Sequence, residues 1–541
     1  MKSNPNRLWI VVIALGWLFD FLFWKRTPGV NFAVYAVLCL AGGLYLLLGV
    51  EKTKPARGAL WLLIPILFFA AVTFVRAEPM TSFLAHAMTL FLMGLLAITY
   101  LGGRWIWYGL WDYVAGFVKL GGNMLVKPLT FSADVRRERA ESGAPARRSA
   151  WPVIRGLVIA LPVVAVFASL LASADAVFQA RLEDFLDLLN IDNLGEYIFR
   201  LSYILVGAYL LTGVFLHAAT ASKDEKLINE GKPIVSPFLG YIESVIVLGS
   251  VTLLFLLFVV IQFQYFFGGQ ANIHIDGYTY SEYARRGFGE LVAVAFFSLA
   301  LILGLGGAAR RESDSQRRTF SGLSIGVVAL VLVMLVSAYR RLVLYETAYG
   351  FSELRAYTHV FMIWLGLLLV ATVVLEILRR ERMFALAALV AAIGFAATLP
   401  ILNVDAFIVR HNVQRALDGN LASDQSRADS VNADQLDISY FIQLSPDALP
   451  PLVAAFRADD TPASVRDALG AALACIRYRA DEQPDMDWHS YHVSRWNETR
   501  LLEEIRPELE GYFIHKKKDA WFTSVATPLG RDYNCLATFM D

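Results

Sequence analysis

Eleven apolar runs, each close to the length that crosses a bilayer, occupy most of the first 401 residues. A helix needs about 20 apolar residues to cross a hydrocarbon core about 30 Å thick. The runs are 8–24, 29–50, 59–75, 82–101, 153–174, 195–216, 238–267, 287–307, 321–339, 358–378 and 383–401. Lipid cannot satisfy exposed backbone polar groups, so each run must close its own hydrogen bonds as a helix. A barrel would need short alternating strands, and these runs do not alternate. Runs 8–24 and 59–75 are short, 195–216 carries Arg200, and 238–267 is long enough to tilt or project. The chain is 57% hydrophobic and 18% charged, where a soluble chain has about a quarter charged residues. Its mean hydropathy is +0.50. The expected fold is therefore all-α: a polytopic transmembrane helix bundle of about 11 spans over residues 1–401. A small helical extramembrane domain over 402–541 follows it.

Lys and Arg near the span ends set the orientation. With the N-terminus in the cytoplasm, the inner loops hold 23 of them and the outer loops 9. An odd span count then carries the tail outside. The first run follows Lys2 and Arg7, but no small-residue cleavage site follows it, and Trp24-Lys25-Arg26 leads into another apolar run. It is expected to stay as an anchor rather than be cleaved as a signal. The basic stretch 119–148 fits the ordinary positive-inside pattern, with a patch for anionic lipid or nucleic acid as the alternative. Residues 104–118 are dense in Trp and Tyr and read as an interfacial helix at the cytoplasmic headgroups. Net charge is zero, 48 against 48, so no nucleic-acid partner is implied.

In the tail, charge rises and long apolar runs vanish. Residues 418–435 are rich in Asp, Asn, Ser and Ala and read as a mobile loop. Helical stretches are expected at Asp447–Arg457, Thr461–Arg479 and Asn497–Phe513. Cys475 and Cys535 both fall in the tail. Outside the cytoplasm they can pair as a disulfide; the alternative is two separate buried thiols. Cys39 falls in a span and reads as packing. No His/Cys spacing suggests a metal, and no cofactor is expected.

Polar residues gather at the outer ends of the spans, although each costs a few kcal/mol at the bilayer centre. Asp20, Arg76 and Asp175 lie at span ends. On a helix Glu282, Arg286 and Glu290 share one face, with Arg285 beside them. The next outer loop brings Arg340, Arg341, Tyr345 and Glu346. These residues form either a salt-bridge lattice holding helix ends together or an outward pocket in which Arg forks grip an anionic group. The candidate ligand-binding set is Arg285, Arg286, Glu290, Arg340, Arg341, Tyr345 and Glu346, with Asp20, Arg76 and Asp175 as neighbours. No catalytic residue can be named.

Several segments carry a resemblance: Leu171–Phe178, Tyr280–Glu290, Tyr345–Gly350, Asn403-Val404-Asp405-Ala406, Leu436–Tyr440 and Ser445–Pro450. They are similar to an uncharacterised bacterial membrane family, domain of unknown function four-one-five-three, formerly also four-one-seven-three. The likeness covers roughly residues 8–510. It implies a bacterial plasma-membrane protein and transfers no activity.

Three function classes remain open. The first is a non-enzymatic envelope sensor, scaffold or accessory subunit, favoured by the outer domain and the lack of a catalytic motif. The second is a transporter of a small or lipid-like solute, although no matching halves are visible. The third is a lipid- or glycan-modifying enzyme with an extracytoplasmic site. The partners implied are the lipid bilayer and either another envelope protein or an anionic lipid or glycan.

Overall fold

The computed structural model describes residues 5–141, 151–188, 193–224, 227–228, 237–267, 288–418, 436–482, 487–516 and 523–535. Its first helices are α1 (Pro5–Phe23), α2 (Val30–Leu44, continued by a π-helix Tyr45–Val50), α3 (Leu63–Val75) and α4 (Pro79–Thr99). Then come α5 (Leu110–Glu141), α6 (Trp151–Ala174), α7 (Ala176–Leu188) and α8 (Leu194–Thr220). The second half of the bundle is α9 (Tyr241–Phe267), α10 (Phe288–Ala308), α11 (Asp314–Tyr349), α12 (Glu353–Ile377) and α13 (Phe384–Leu402).

Ten of the described helical stretches are long and apolar enough to cross a membrane. They match ten of the eleven apolar runs. The run 153–174 forms α6, which is not among the ten and whose side chains are described only in part. Its 24 residues span about 36 Å at 1.5 Å per residue. Between α4 and α8 the chain passes from one end of the bundle to the other. The far end of α4 lies beside the C-terminal end of α8, where the Gly102 N–H donates to the Ser222 carbonyl at 2.9 Å. The start of α8 lies instead beside the end of α1, where Trp24 and Lys25 donate to Glu196, each at 2.8 Å. The chain thus leaves one face after α4 and re-enters from the other, and α6 has the length for it.

The bundle's outward surface is apolar. Ile10, Trp17, Leu67, Phe83, Leu90, Leu253, Leu254, Phe296 and Phe297 are all exposed. Apolar exposure on this scale suits a lipid solvent and not water. Inside, one core joins α1 to α5 with α8, and a second joins α9 to α12. α13 contributes to both: Leu389 and Ala396 to the first, Phe384 to the second.

The tail begins at a sharp corner. Asn403 adopts the left-handed conformation (φ 55°) at the end of α13, a position where Asn is tolerated better than most residues. The chain turns directly into α14 (Val404–Leu417). Then come α15 (Ile438–Gln443), α16 (Leu449–Arg457), α17 (Ala463–Asp481) and α18 (Val493–Glu504). Pro446 and Pro450 each occupy a first-turn position of a helical turn, where the missing N–H costs nothing.

Two of the expected tail helices appear nearly in place. The third stops at Glu504, and the chain beyond it forms three short strands. These are β1 (Phe513–Lys516), β2 (Thr523–Ala526) and β3 (Asp532–Cys535), paired antiparallel in chain order. Cys475 on α17 and Cys535 on β3 form a disulfide, with Cα atoms 5.5 Å apart. The tail core includes Leu469, Leu473 and Val525, but it also takes Ala356 and Val360 from α12 and Leu399 from α13. Residues 419–435, the expected loop, lie outside the described residues.

Candidate functional site

The tail meets the bundle along a buried polar seam built from five pieces of chain. The first piece is the turn between α3 and α4. Glu78 caps α4 ahead of Pro79, accepting the N–H groups of Met80 at 2.7 Å and Thr81 at 2.8 Å. Such a cap satisfies donors that a helix start otherwise leaves orphaned. The same carboxylate accepts the hydroxyls of Thr81 and of Tyr357 on α12. Glu78 is 2% exposed, so these four donors replace its water.

The second piece is Asp447, in the turn that follows Ser445. It is 4% exposed and crosses the seam. Its Oδ2 accepts the N–H of Ala77 at 2.7 Å and of Glu78 at 3.2 Å. Its Oδ1 accepts the Ser494 hydroxyl at 2.6 Å and faces Arg76 Nη1 at 3.3 Å. Arg76 also donates through Nε to the Pro400 carbonyl at 3.0 Å. That carbonyl lies in the last turn of α13, where acceptors are left over and a cation is favoured. Arg76 therefore ties together α3, the end of α13 and the tail.

The third piece is the start of α18. The one Ser494 hydroxyl proton is shared between Asp447 and the Val75 carbonyl, 2.7 Å away, and His492 Nε2 lies 3.2 Å from the Arg76 carbonyl. Burial lowers the His492 pKa, so the ring is held neutral and can donate there. Nearby, Val30 donates to the Tyr491 carbonyl at 2.9 Å and Ser490 to the Thr27 carbonyl at 2.9 Å. Arg26 pairs with Asp487.

The remaining pieces are the first turns of α12 and α14. Asp405 is 0% exposed. Its Oδ2 accepts the Ser445 N–H at 2.9 Å, while Oδ1 has no hydrogen-bond donor. The Glu353 carboxyl lies against it. Two adjacent carboxyls in a dry site cannot both ionise cheaply. Burial, and the charges of Glu353 and Glu78, push the Asp405 pKa up to about 7. Protonating one of the two carboxyls removes the repulsion between them.

The residues expected from sequence fall at several places. Arg76 lies in the seam. Asp20 lies elsewhere on the same face, buried, and takes a two-pronged pair from Arg200 on α8 at 2.9 and 2.5 Å, with the Tyr203 hydroxyl as a third donor. Forked pairing of this kind is among the stronger charge-assisted contacts. Glu346 is buried at the end of α11 and bonds His359 Nε2 at 2.5 Å. Tyr345 packs beneath the Arg355 guanidinium, 4.3 Å from its ring centre. Arg341 is half-buried and Arg340 exposed on the same helix. Glu290 is exposed in the first turn of α10. Asp175 is exposed between α6 and α7, where it accepts the Phe178 N–H at 2.8 Å. Arg285 and Arg286 lie outside the described residues.

Glu78, Glu353, Asp405, Asp447 and Ser494 were not in the expected set. Two of them could have been. Asp405 and Asp447 sit inside segments that carry the family resemblance. Arg200, alone in an apolar run, required a partner.

Chemically, the seam's acids and bases are turned toward one another. Among the described residues no group of three or more His, Cys, Asp or Glu side chains is placed to hold a metal. Residues 63–455 match the model of a family described as Domain of unknown function (DUF4153). No curated protein and no solved structure matches the chain.

Proposed function

The chain belongs to the Domain of unknown function (DUF4153) family, and from that premise we propose that it is a non-enzymatic component of a bacterial envelope. It is a scaffold or sensor subunit seated in the plasma membrane, with its N-terminus in the cytoplasm and its tail outside. One observation carries this reading. Among the described residues, Arg76 and the Ala77 and Glu78 amides at the tail's face of the bundle are engaged by Asp447 of the tail. The tail is then a module held rigidly for another envelope protein to read.

Two further features support the placement. The tail docks beside Trp24 to Thr27, at the end of α1 remote from the N-terminus, and the loops on the N-terminal side carry 23 Lys and Arg against 9 opposite. Trp488, Tyr491 and Trp496 of the tail are exposed near that rim, as are Tyr197 and Phe199. Such aromatics belong at the headgroup level.

Reporter fusions test the orientation. A phosphatase fused after Asp541 should be active and a fluorescent protein at the same place dark; the reverse pattern refutes it. The role is tested in membranes of a deletion strain carrying the Arg76→Ala or Asp447→Ala variant. A scaffold loses function together with tail docking, seen as new protease sensitivity of the tail. Loss of function with a tightly docked tail would point to an active site instead.

A further inference from the structure

The bundle face opposite the tail carries a pocket, lined by both lysines and carboxylates, that plays no part in the seam. It opens between the first turns of α5 and the C-terminal end of α8 and has a volume of about 530 Å³. Lys119, His217 and Lys223 line it, together with Tyr108, Asp112 and Asp224. Both carboxylates are turned to partners of their own. Asp112 accepts the N–H groups of Gly109 at 2.7 Å and Ile228 at 2.6 Å, and Arg382 at 2.9 Å. Asp224 accepts the hydroxyls of Tyr108 at 2.5 Å and Thr99 at 2.7 Å, and the Arg104 N–H at 3.2 Å.

Lys119 is exposed and reaches the Ala221 carbonyl at 3.5 Å. Lys127, two turns further along α5, bonds Thr220 at the same end of α8. Burial, then the charge of Lys119, pulls the Lys127 pKa below the ordinary lysine value. Like charges gathered at one helix junction repel, and an anion between them relieves that repulsion.

The outer side of the same helix supplies the second half of the argument. Trp111, Val114, Val118, Leu125 and Leu129 are all exposed on α5. They recur at helical spacing and form one apolar stripe. A helix with an apolar stripe beside a basic face is suited to lie in a membrane interface. A ligand that fits both features has an anionic head and an apolar tail.

We propose that this pocket binds the phosphate of an anionic phospholipid, with Lys119 and Lys223 of its lining and Lys127, bonded to the lining Thr220, as the cations, and the α5 stripe against its acyl chains. The inference does not depend on which side of the membrane the tail occupies.

The full chain, purified into phosphatidylcholine nanodiscs, is titrated with a spin-labelled phosphatidylglycerol and, separately, with inorganic phosphate. Binding of the labelled lipid should exceed that of labelled phosphatidylcholine. Replacing the three lysines by Gln should cut that preference by roughly tenfold or more. Replacing them by Arg should keep it. The Lys52→Gln/Lys54→Gln pair, exposed on the same face, should also keep it. Melting temperature in phosphatidylcholine alone reports whether the Gln variant is folded; if it is not, the three single Gln variants carry the test. Equal losses in the control pair would mean a diffuse charge effect and overturn the proposal. So would an absent preference, or millimolar inorganic phosphate displacing the lipid from the wild type.

Discussion

Truncating Asp447 to Ala removes the buried carboxylate that joins the tail to the turn between α3 and α4. Across the seam and from α18 the carboxylate accepts two backbone N–H groups, the Ser494 hydroxyl and Arg76, with the Ser445 hydroxyl as a longer local donor at 3.5 Å. Stranding a buried donor costs about 1–3 kcal/mol. Breaking a buried ion pair by deleting one partner costs about 3–5 kcal/mol. Arg76 keeps 27% of its side chain exposed, so water recovers part of its loss. Ser494 keeps its bond to Val75. The net penalty on docking is then about 4 kcal/mol, or roughly a thousandfold in the docked-to-undocked ratio. Amide hydrogen exchange of the chain in nanodiscs reads this at the right atoms. The Ala77 and Glu78 amides should exchange faster by roughly that thousandfold, while amides in mid-α4 keep their protection. Asp447→Asn keeps one acceptor oxygen and should cost less. If Ala77 and Glu78 exchange at the wild-type rate in the Ala variant, these bonds do not hold the tail and the reasoning fails.

Asp405 predicts a pH dependence. Its folded pKa is raised from 3.8 to about 7, so between those values the folded protein holds a proton that the unfolded chain has lost. Stability therefore falls as pH rises through that window, by up to about 4 kcal/mol. Melting at pH 5 and pH 8 should show the drop, and Asp405→Asn should flatten it; an unchanged slope would count against the raised pKa of Asp405. Reducing Cys475–Cys535 reopens a 60-residue separation and should destabilise the tail by about 4 kcal/mol in the chain-entropy account, seen as a lower melting temperature with reductant that the Cys475→Ser variant does not show. Gly213→Ala would place a Cβ 2.3 Å from the Met124 Cα. It should push α5 off α8 and cost about 1–3 kcal/mol, measurable as reduced thermal stability in detergent; wild-type melting would mean the helices are looser than described.

The spans were legible because each is a local property: about 20 apolar residues declare themselves without reference to the rest of the chain. The helix cap at Glu78-Pro79 was legible in principle for the same reason. Pairing was not. Arg76 and Asp447 are 371 residues apart, and Asp20 and Arg200 are 180 apart. Nothing in either local sequence names the other, although an Arg inside an apolar run announces that some partner exists. The three strands escaped because each has four residues, too few for alternation to rise above the helical reading. Glu346 could be singled out from its loop, but its partner His359 lies on the next helix, and only the packing of α11 on α12 selects it.

α13 supplies side chains to both bundle cores, and its final turn supplies Leu399 to the core of the tail. It is also the last of these helices to leave the ribosome. Two half-built bundles must therefore wait in the membrane, each with an unfilled face, until residue 402 has been synthesised. The tail in turn cannot complete its core before α12 and α13 are seated, because Ala356, Val360 and Leu399 are part of it. A tail expressed alone would lack those three residues and the Ala77 and Glu78 amides. Assembly is thus gated near its end: the step that closes the bundle also prepares the surface on which the tail folds. Chains truncated before α13 should remain open, recognisable to the membrane's quality-control proteases by the same apolar faces that α13 would have covered.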